Sequence, residues 1–164
     1  MNIVIFGPPG AGKGTQAQYL VTKHKYFQIS TGDLLRNETK KNTILGKKIS
    51  TLINKGHFVS DEVVNTLLNN EITKPKKRNK IVFDGYPRNI VQAKNLEKLL
   101  TADNQKIGSI IYLNVSKEII KKRISGRIVC QKCNIILNEH ENFEELSNHQ
   151  CEKKFLKKRT DDDV

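Results

Sequence analysis

The sequence has no tryptophan, and aromatic residues make up only 6% of it, so it offers few platforms on which nucleic-acid bases could stack. Acidic residues are scarce beside basic ones, 17 Asp and Glu against 29 Lys and Arg, for a net charge of +12. Four prolines and ten glycines are too few for a collagen-like or low-complexity chain. Long apolar runs are missing too. The longest, around residues 107–115, falls far short of the roughly 18 residues a membrane span needs. Met1 leads straight into Ile3-Val4-Ile5-Phe6 without a signal-peptide pattern. These absences point to a soluble, cytoplasmic protein without a membrane partner. Cysteine is limited to Cys130, Cys133 and Cys151, an odd number gathered in the last third, which in a reducing compartment suggests metal rather than disulfides.

The 164 residues are one domain's worth of chain, and 37% hydrophobic residues are enough to bury a core. A pI near 9.7 invites a nucleic-acid reading. The kind of cation argues against it. Of the 29 basic residues 23 are lysines, hydrated point charges that suit any solvated surface. The six arginines, Arg36, Arg78, Arg88, Arg123, Arg127 and Arg159, carry the planar fork that grips phosphate in bidentate fashion, so their placement is informative.

Strand and helix patterns alternate. Short β-branched runs at residues 2–6, 26–29, 81–83 and 110–115 predict four strands, and periodic segments after residue 12, after residue 30, and over 44–52, 61–70, 90–100 and 116–124 predict helices. Such alternation implies right-handed crossovers and a parallel sheet flanked by helices. The basic turn around Arg78 reads as a solvated connector. Residues 128–158 hold all the cysteines and no long periodic segment, and read as a small inserted subdomain.

Gly7-Pro8-Pro9-Gly10-Ala11-Gly12-Lys13-Gly14-Thr15 has phosphate-loop spacing, between an expected strand and an expected helix. Its glycines let backbone N–H groups turn inward around a phosphate, the helix N-terminus adds positive potential, and Lys13 can reach terminal phosphates. Gly14 follows Lys13 where the general pattern has Ser or Thr. Asp84, at the end of the apolar strand 81–83, suits an acid held near Mg²⁺. This loop, Thr31-Gly32-Asp33 with Arg36, Asp84-Gly85-Tyr86-Pro87-Arg88 with Gln92, Arg123-Ile124-Ser125-Gly126-Arg127, and Arg159-Thr160-Asp161-Asp162 together resemble the adenylate kinase family, in its order and across essentially the whole chain.

The resemblance implies an α/β P-loop NTPase core (residues 1–29 and 60–122), a helical AMP-binding segment (30–59), a cysteine-containing lid (123–160), and at 161–164 the start of a C-terminal core helix. It implies reversible phosphoryl transfer from MgATP to AMP, giving two ADP, by a monomer that binds no nucleic acid. Five of the six arginines fall in the motif positions. By matching position, Gly10, Ala11, Gly12, Lys13, Gly14, Thr15, Arg123 and Arg127 would bind ATP. Thr31, Gly32, Arg36, Val59, Gly85, Arg88 and Gln92 would bind AMP. Lys13, Arg88, Arg123, Arg127 and Arg159 would act on the transferring phosphoryl group, with Asp161 and Asp162 orienting the arginines and Asp84 holding Mg²⁺ through water. Asp33 reads as a capping residue. Ser60 stands where the family usually has Pro.

Cys130-Gln131-Lys132-Cys133 has zinc-knuckle spacing, and Cys151 follows. Some members of the family fold the lid around zinc held by two such pairs. Lys154 occupies the matching fourth position and is no zinc ligand, which leaves His149 as the candidate; a lid whose thiols are remnants is the alternative. Other functions remain open at this point: a UMP- or CMP-directed kinase, a basic ATP-dependent nucleic-acid-binding protein, or an inactive truncated fragment. The last follows because the family carries roughly fifty further residues and a fifth strand.

Overall fold

The computed structural model describes residues 1–158 apart from residues 56, 58, 75–78, 134 and 142. The expectations placed on Arg78, Arg159, Asp161 and Asp162 lie outside the described residues. In order, the elements are β1 (Asn2–Phe6), α1 (Lys13–His24), β2 (Phe27–Ser30), α2 (Thr31–Thr39), α3 (Ile44–Asn54), α4 (Asp61–Ile72), β3 (Ile81–Asp84), α5 (Ile90–Ala102), β4 (Ile107–Tyr112), α6 (Lys117–Ser125), β5 (Arg127–Cys130), β6 (Ile136–Asn138), α7 (Phe143–Ser147), a 3₁₀ turn (Lys153–Phe155) and β7 (Leu156–Lys157). They form two compact units, one of residues 1–6 and 16–112, the other of residues 7–15 and 113 onward.

In the first unit four strands pair in parallel in the order β2-β3-β1-β4. The inner strands read as unbroken apolar runs because both their faces are covered: Ile81, Val82 and Phe83 are fully buried, and Ile3, Val4 and Ile5 nearly so. Val64, Leu68 and Ile72 of α4 and Leu96 and Leu100 of α5 join Val4, Ile29, Ile81, Phe83 and Tyr86 in one core. Asn2, at the start of β1, is polar yet fully buried. Its Nδ2 donates to Gln105 Oε1 and its Oδ1 accepts from the Ile81 N–H, both at 3.0 Å, tying β1 to the start of β3 and to the turn before β4.

The fourth strand lies at Ile107–Tyr112, three residues earlier than the apolar pattern suggests. Its ladder with β1 runs from Asn2↔Ile107 to Phe6↔Tyr112, so it ends where β1 gives way to the phosphate loop. Ile110, Ile111 and Tyr112 are exposed on this edge strand.

The second unit contains the phosphate loop, α6 and a three-stranded antiparallel sheet in the order β6-β5-β7. These strands have four, three and two residues in chain order, too short for a periodicity to show in the sequence.

Candidate nucleotide and metal sites

Between β1 and α1 the chain makes a loop whose conformation depends on glycine. Gly10 and Gly12 have φ of +79° and +96°, in the left-handed region that side chains disfavour. Gly10 also has no room for a side chain, since a Cβ there would lie 2.8 Å from Cγ1 of Ile124 on α6. Lys13, the first residue of α1, donates from Nζ to the carbonyl oxygens of Gly7 and Pro8, each at 2.9 Å, which folds the ammonium over the loop. Arg123, in the last turn of α6, donates from Nη1 to Ala11 O at 3.4 Å and from Nε to Glu141 at 3.3 Å. The side-chain amide of Asn138 donates to the Arg123 carbonyl oxygen, and Arg127 opens β5 two residues after α6 ends. The second unit thus gathers Gly10, Ala11, Gly12, Lys13 and Arg123 at the loop.

The first unit carries a cavity of about 280 Å³ lined in part by Thr31, Val59, Gly85, Arg88 and Gln92. Thr31 begins α2, capped by the Ser30 hydroxyl, which accepts from the Asp33 N–H; the cap is thus Ser30 rather than Asp33, whose carboxylate pairs with Arg36 at 2.7 Å. Gly85 follows β3 with φ +75°, and its carbonyl accepts from Thr31 Oγ1 at 3.0 Å and from Arg88 Nε at 2.9 Å. That leaves both terminal nitrogens of Arg88 for a bidentate anion contact. Gln92 is 8% exposed, in the first turn of α5, whose cap Asn89 accepts from the Gln92 N–H at 2.7 Å. Asp84, at the end of β3, accepts from Gln28 Nε2 at 3.0 Å.

Arg36 and Gly32 are not among the cavity residues; the Arg36 guanidinium lies over Gly32. Asn89 also lines the cavity without having been singled out in the sequence, Tyr86 was quoted only as part of its motif, and Asp61 carried no role of its own. Tyr86 Oη lies 2.8 Å from Asn65 Oδ1 and accepts from Asn95, and burial first, then the Asp61 charge, raises its pKa against that second hydrogen bond. For Asn89 a signal existed, a capping residue before an apolar helical run. Asp61 entered only as the first residue of the expected helix 61–70 and within the segment 56–62, which by resemblance lines the AMP site.

In the second unit the ligand atoms of Cys130, Cys133, His149 and Cys151 all lie within 4.8 Å of one another, with Cys133 Sγ 3.5 Å from His149 Nε2. Burial pushes the Cys130 thiol up, but the Cys133 and Lys132 N–H groups, His149 and the Cys133 thiol outweigh it and bring Cys130 down to about 6. Burial, with Cys133 and Cys130 alongside, pushes Cys151 up to about 11. Three sulfurs and one imidazole are a donor set suited to tetrahedral zinc. Lys154 instead pairs with Glu152 at 2.8 Å and lies over the Phe155 ring.

A parallel sheet whose first strand feeds a glycine-shaped, lysine-bearing loop and helix defines a P-loop nucleotide-binding protein. Within that class the family model for adenylate kinase matches residues 5–162. The adenylate kinase of Pelagibacter ubique is 60% identical over 164 residues, all of this chain and 77% of that protein. That of Novosphingobium aromaticivorans is 40% identical over 99% of this chain and 76% of its own. That of Mycoplasma capricolum is 46% identical over 84% of this chain and 64% of its own. The chain belongs to the adenylate kinase family.

Proposed function

We propose that the chain transfers a phosphoryl group reversibly between MgATP and AMP, giving two ADP. The observation that carries this reading is the cavity in which Thr31, Val59, Gly85, Arg88 and Gln92 meet, since it pairs a phosphate-gripping arginine with an amide able to read a base edge. The attacking group would be an AMP phosphate oxygen, already anionic, so no general base is required. What the chain must supply is position and positive charge.

Gly10, Ala11, Gly12, Gly14 and Thr15 would surround the ATP phosphates, and Lys13 would exchange its carbonyl partners for phosphate oxygens. Arg88 and Arg36 would hold the AMP phosphate, Arg36 by giving up Asp33. Arg123, Arg127 and Arg159 would neutralise charge on the group in transfer. Asp84 would hold, through water, the Mg²⁺ that accompanies ATP and lowers the charge of its phosphates; a strand-end carboxylate already accepting a hydrogen bond fits that task. Cys130, Cys133, Cys151 and His149 would bind a structural Zn²⁺ in the lid. Three cysteines free of disulfides suit a reducing cytoplasm, and by resemblance to the family we assign the reaction there to a monomer.

A coupled assay of ADP formed from ATP plus AMP tests the reading, with UMP and CMP as rival acceptors. Lys13→Ala and Arg88→Ala should each abolish the activity. Full activity in both would mean the site is elsewhere.

A further inference from the structure

We propose that Asp61 is a specificity-determining residue that locks the side-chain amide of Gln92 in one orientation, so that the cavity takes amino-bearing bases and rejects their oxo counterparts. The inference rests on the reading of this cavity as the nucleoside monophosphate site.

Gln92 is held through its backbone and through both ends of its side-chain amide. Its backbone N–H donates to Asn89 Oδ1 at 2.7 Å, its Nε2 donates to Asp61 Oδ1 at 2.6 Å, and its Oε1 accepts from the Arg88 backbone N–H at 2.7 Å. The two amide partners differ in kind. An ionised carboxylate can only accept and a backbone N–H can only donate, so turning the amide over would set oxygen against oxygen at Asp61 and N–H against N–H at Arg88. The orientation thus follows from the chemistry of the neighbours. Asp61 opens α4, and the Arg88 side chain donates from Nε to the Gly85 carbonyl.

Each amide atom keeps one further valence, a second hydrogen on Nε2 and a second lone pair on Oε1. An amide so oriented offers a ligand an acceptor beside a donor. That matches the N6 amino group and N1 of a 6-aminopurine, and equally a 4-aminopyrimidine. A 6-oxopurine presents an acceptor and an N–H at the same places, and both contacts become repulsive. Sites built on such hydrogen bonds discriminate strongly, because the mismatch leaves buried polar groups unpaired.

The test compares AMP with IMP, which share a purine ring and differ at the 6-position and in N1 protonation. The wild-type protein should show a kcat/KM for AMP at least about a hundredfold above that for IMP. Asp61→Asn, whose amide can meet either end of Gln92, should lower that ratio about tenfold or more, with IMP gaining relative to AMP. Asp61→Ser, whose hydroxyl also donates or accepts, should move the ratio in the same direction. Equal losses for both nucleotides, leaving the ratio unchanged, would mean Asp61 only supports the fold and would overturn the proposal. A wild type that accepts IMP as readily as AMP would overturn it without any variant. A wild type that phosphorylates no nucleoside monophosphate would instead refute the function assigned to the cavity.

Discussion

Replacing Gly10 by Ala isolates what the phosphate loop requires of its surroundings. The residue has φ +79°, and the added methyl would meet Ile124 Cγ1 at 2.8 Å and Ile120 Cγ2 at 3.2 Å. Left-handed backbone costs an L residue about 1–2 kcal/mol, and forcing a methyl into a packed contact adds about 1–3 kcal/mol. The stiffer unfolded chain returns about 0.4–1 kcal/mol. The net expectation is a loss of about 3 kcal/mol, read as a lower urea midpoint at unchanged slope. Ile124→Ala removes the nearest obstructing atoms while leaving the backbone strain. Since Ile124 is half-buried, that change alone should cost about 1–2 kcal/mol. The double variant should then be about 1–2 kcal/mol more stable than the sum of the single losses. Additivity within about 0.5 kcal/mol would refute the steric reasoning and show that the methyl does not meet α6.

Other features give sharper yes-or-no outcomes. Exhaustively dialysed protein should retain about one zinc per chain by elemental analysis, and stripping it with a strong chelator should melt the segment of residues 127–157; identical folding without metal would dismiss the zinc site. Asn2→Ala should cost about 1–3 kcal/mol in urea, because the buried Ile81 N–H loses its partner while Gln105 Oε1 keeps the Asn79 N–H. The Lys41 hydrogen bond holds the Glu38 carboxyl below its ordinary 4.5, with burial opposing it and the Lys41 charge and Thr43 hydroxyl assisting. A depressed carboxylate pKa stabilises the fold fully above the unfolded value and progressively less as pH falls through the folded value. Glu38→Gln should therefore lower stability at pH 7 and flatten the loss between about pH 5 and pH 3, and parallel acid limbs for the two proteins would count against it.

Much of the first unit was legible because its determinants are local. Strands buried on both faces read as apolar runs, and Ser30, Thr43 and Asn89 each stand at a helix start with a side chain that accepts a backbone N–H. The fourth strand was misplaced by three residues because its extent is set by pairing with β1, a contact more than a hundred residues away along the chain. The small antiparallel sheet was missed for a different reason. Its strands of two to four residues are held by pairing with each other, and no hydrophobic period develops over so short a span.

The candidate site divides along the same line. Gly10, Lys13, Gly85 and Arg88 are visible in the sequence because a loop that turns N–H groups or a carbonyl inward must use particular residues at fixed spacing. Gln92 is visible only through its motif, since a lone glutamine on a helix is ordinarily solvated, whereas here it is buried and bonded at both ends of its amide. Asp61 could not be found by spacing at all. It precedes Gln92 by thirty-one residues on another helix, and its own helix gives it a sufficient local role as a first-turn acid. Only the packing of α4 beside α5 brings that acid to the Gln92 amide, where it accepts from Nε2 while the Arg88 N–H donates to Oε1. Motif residues mark the loop and the cavity, while the groups that orient a motif residue such as Gln92 come from tertiary contacts.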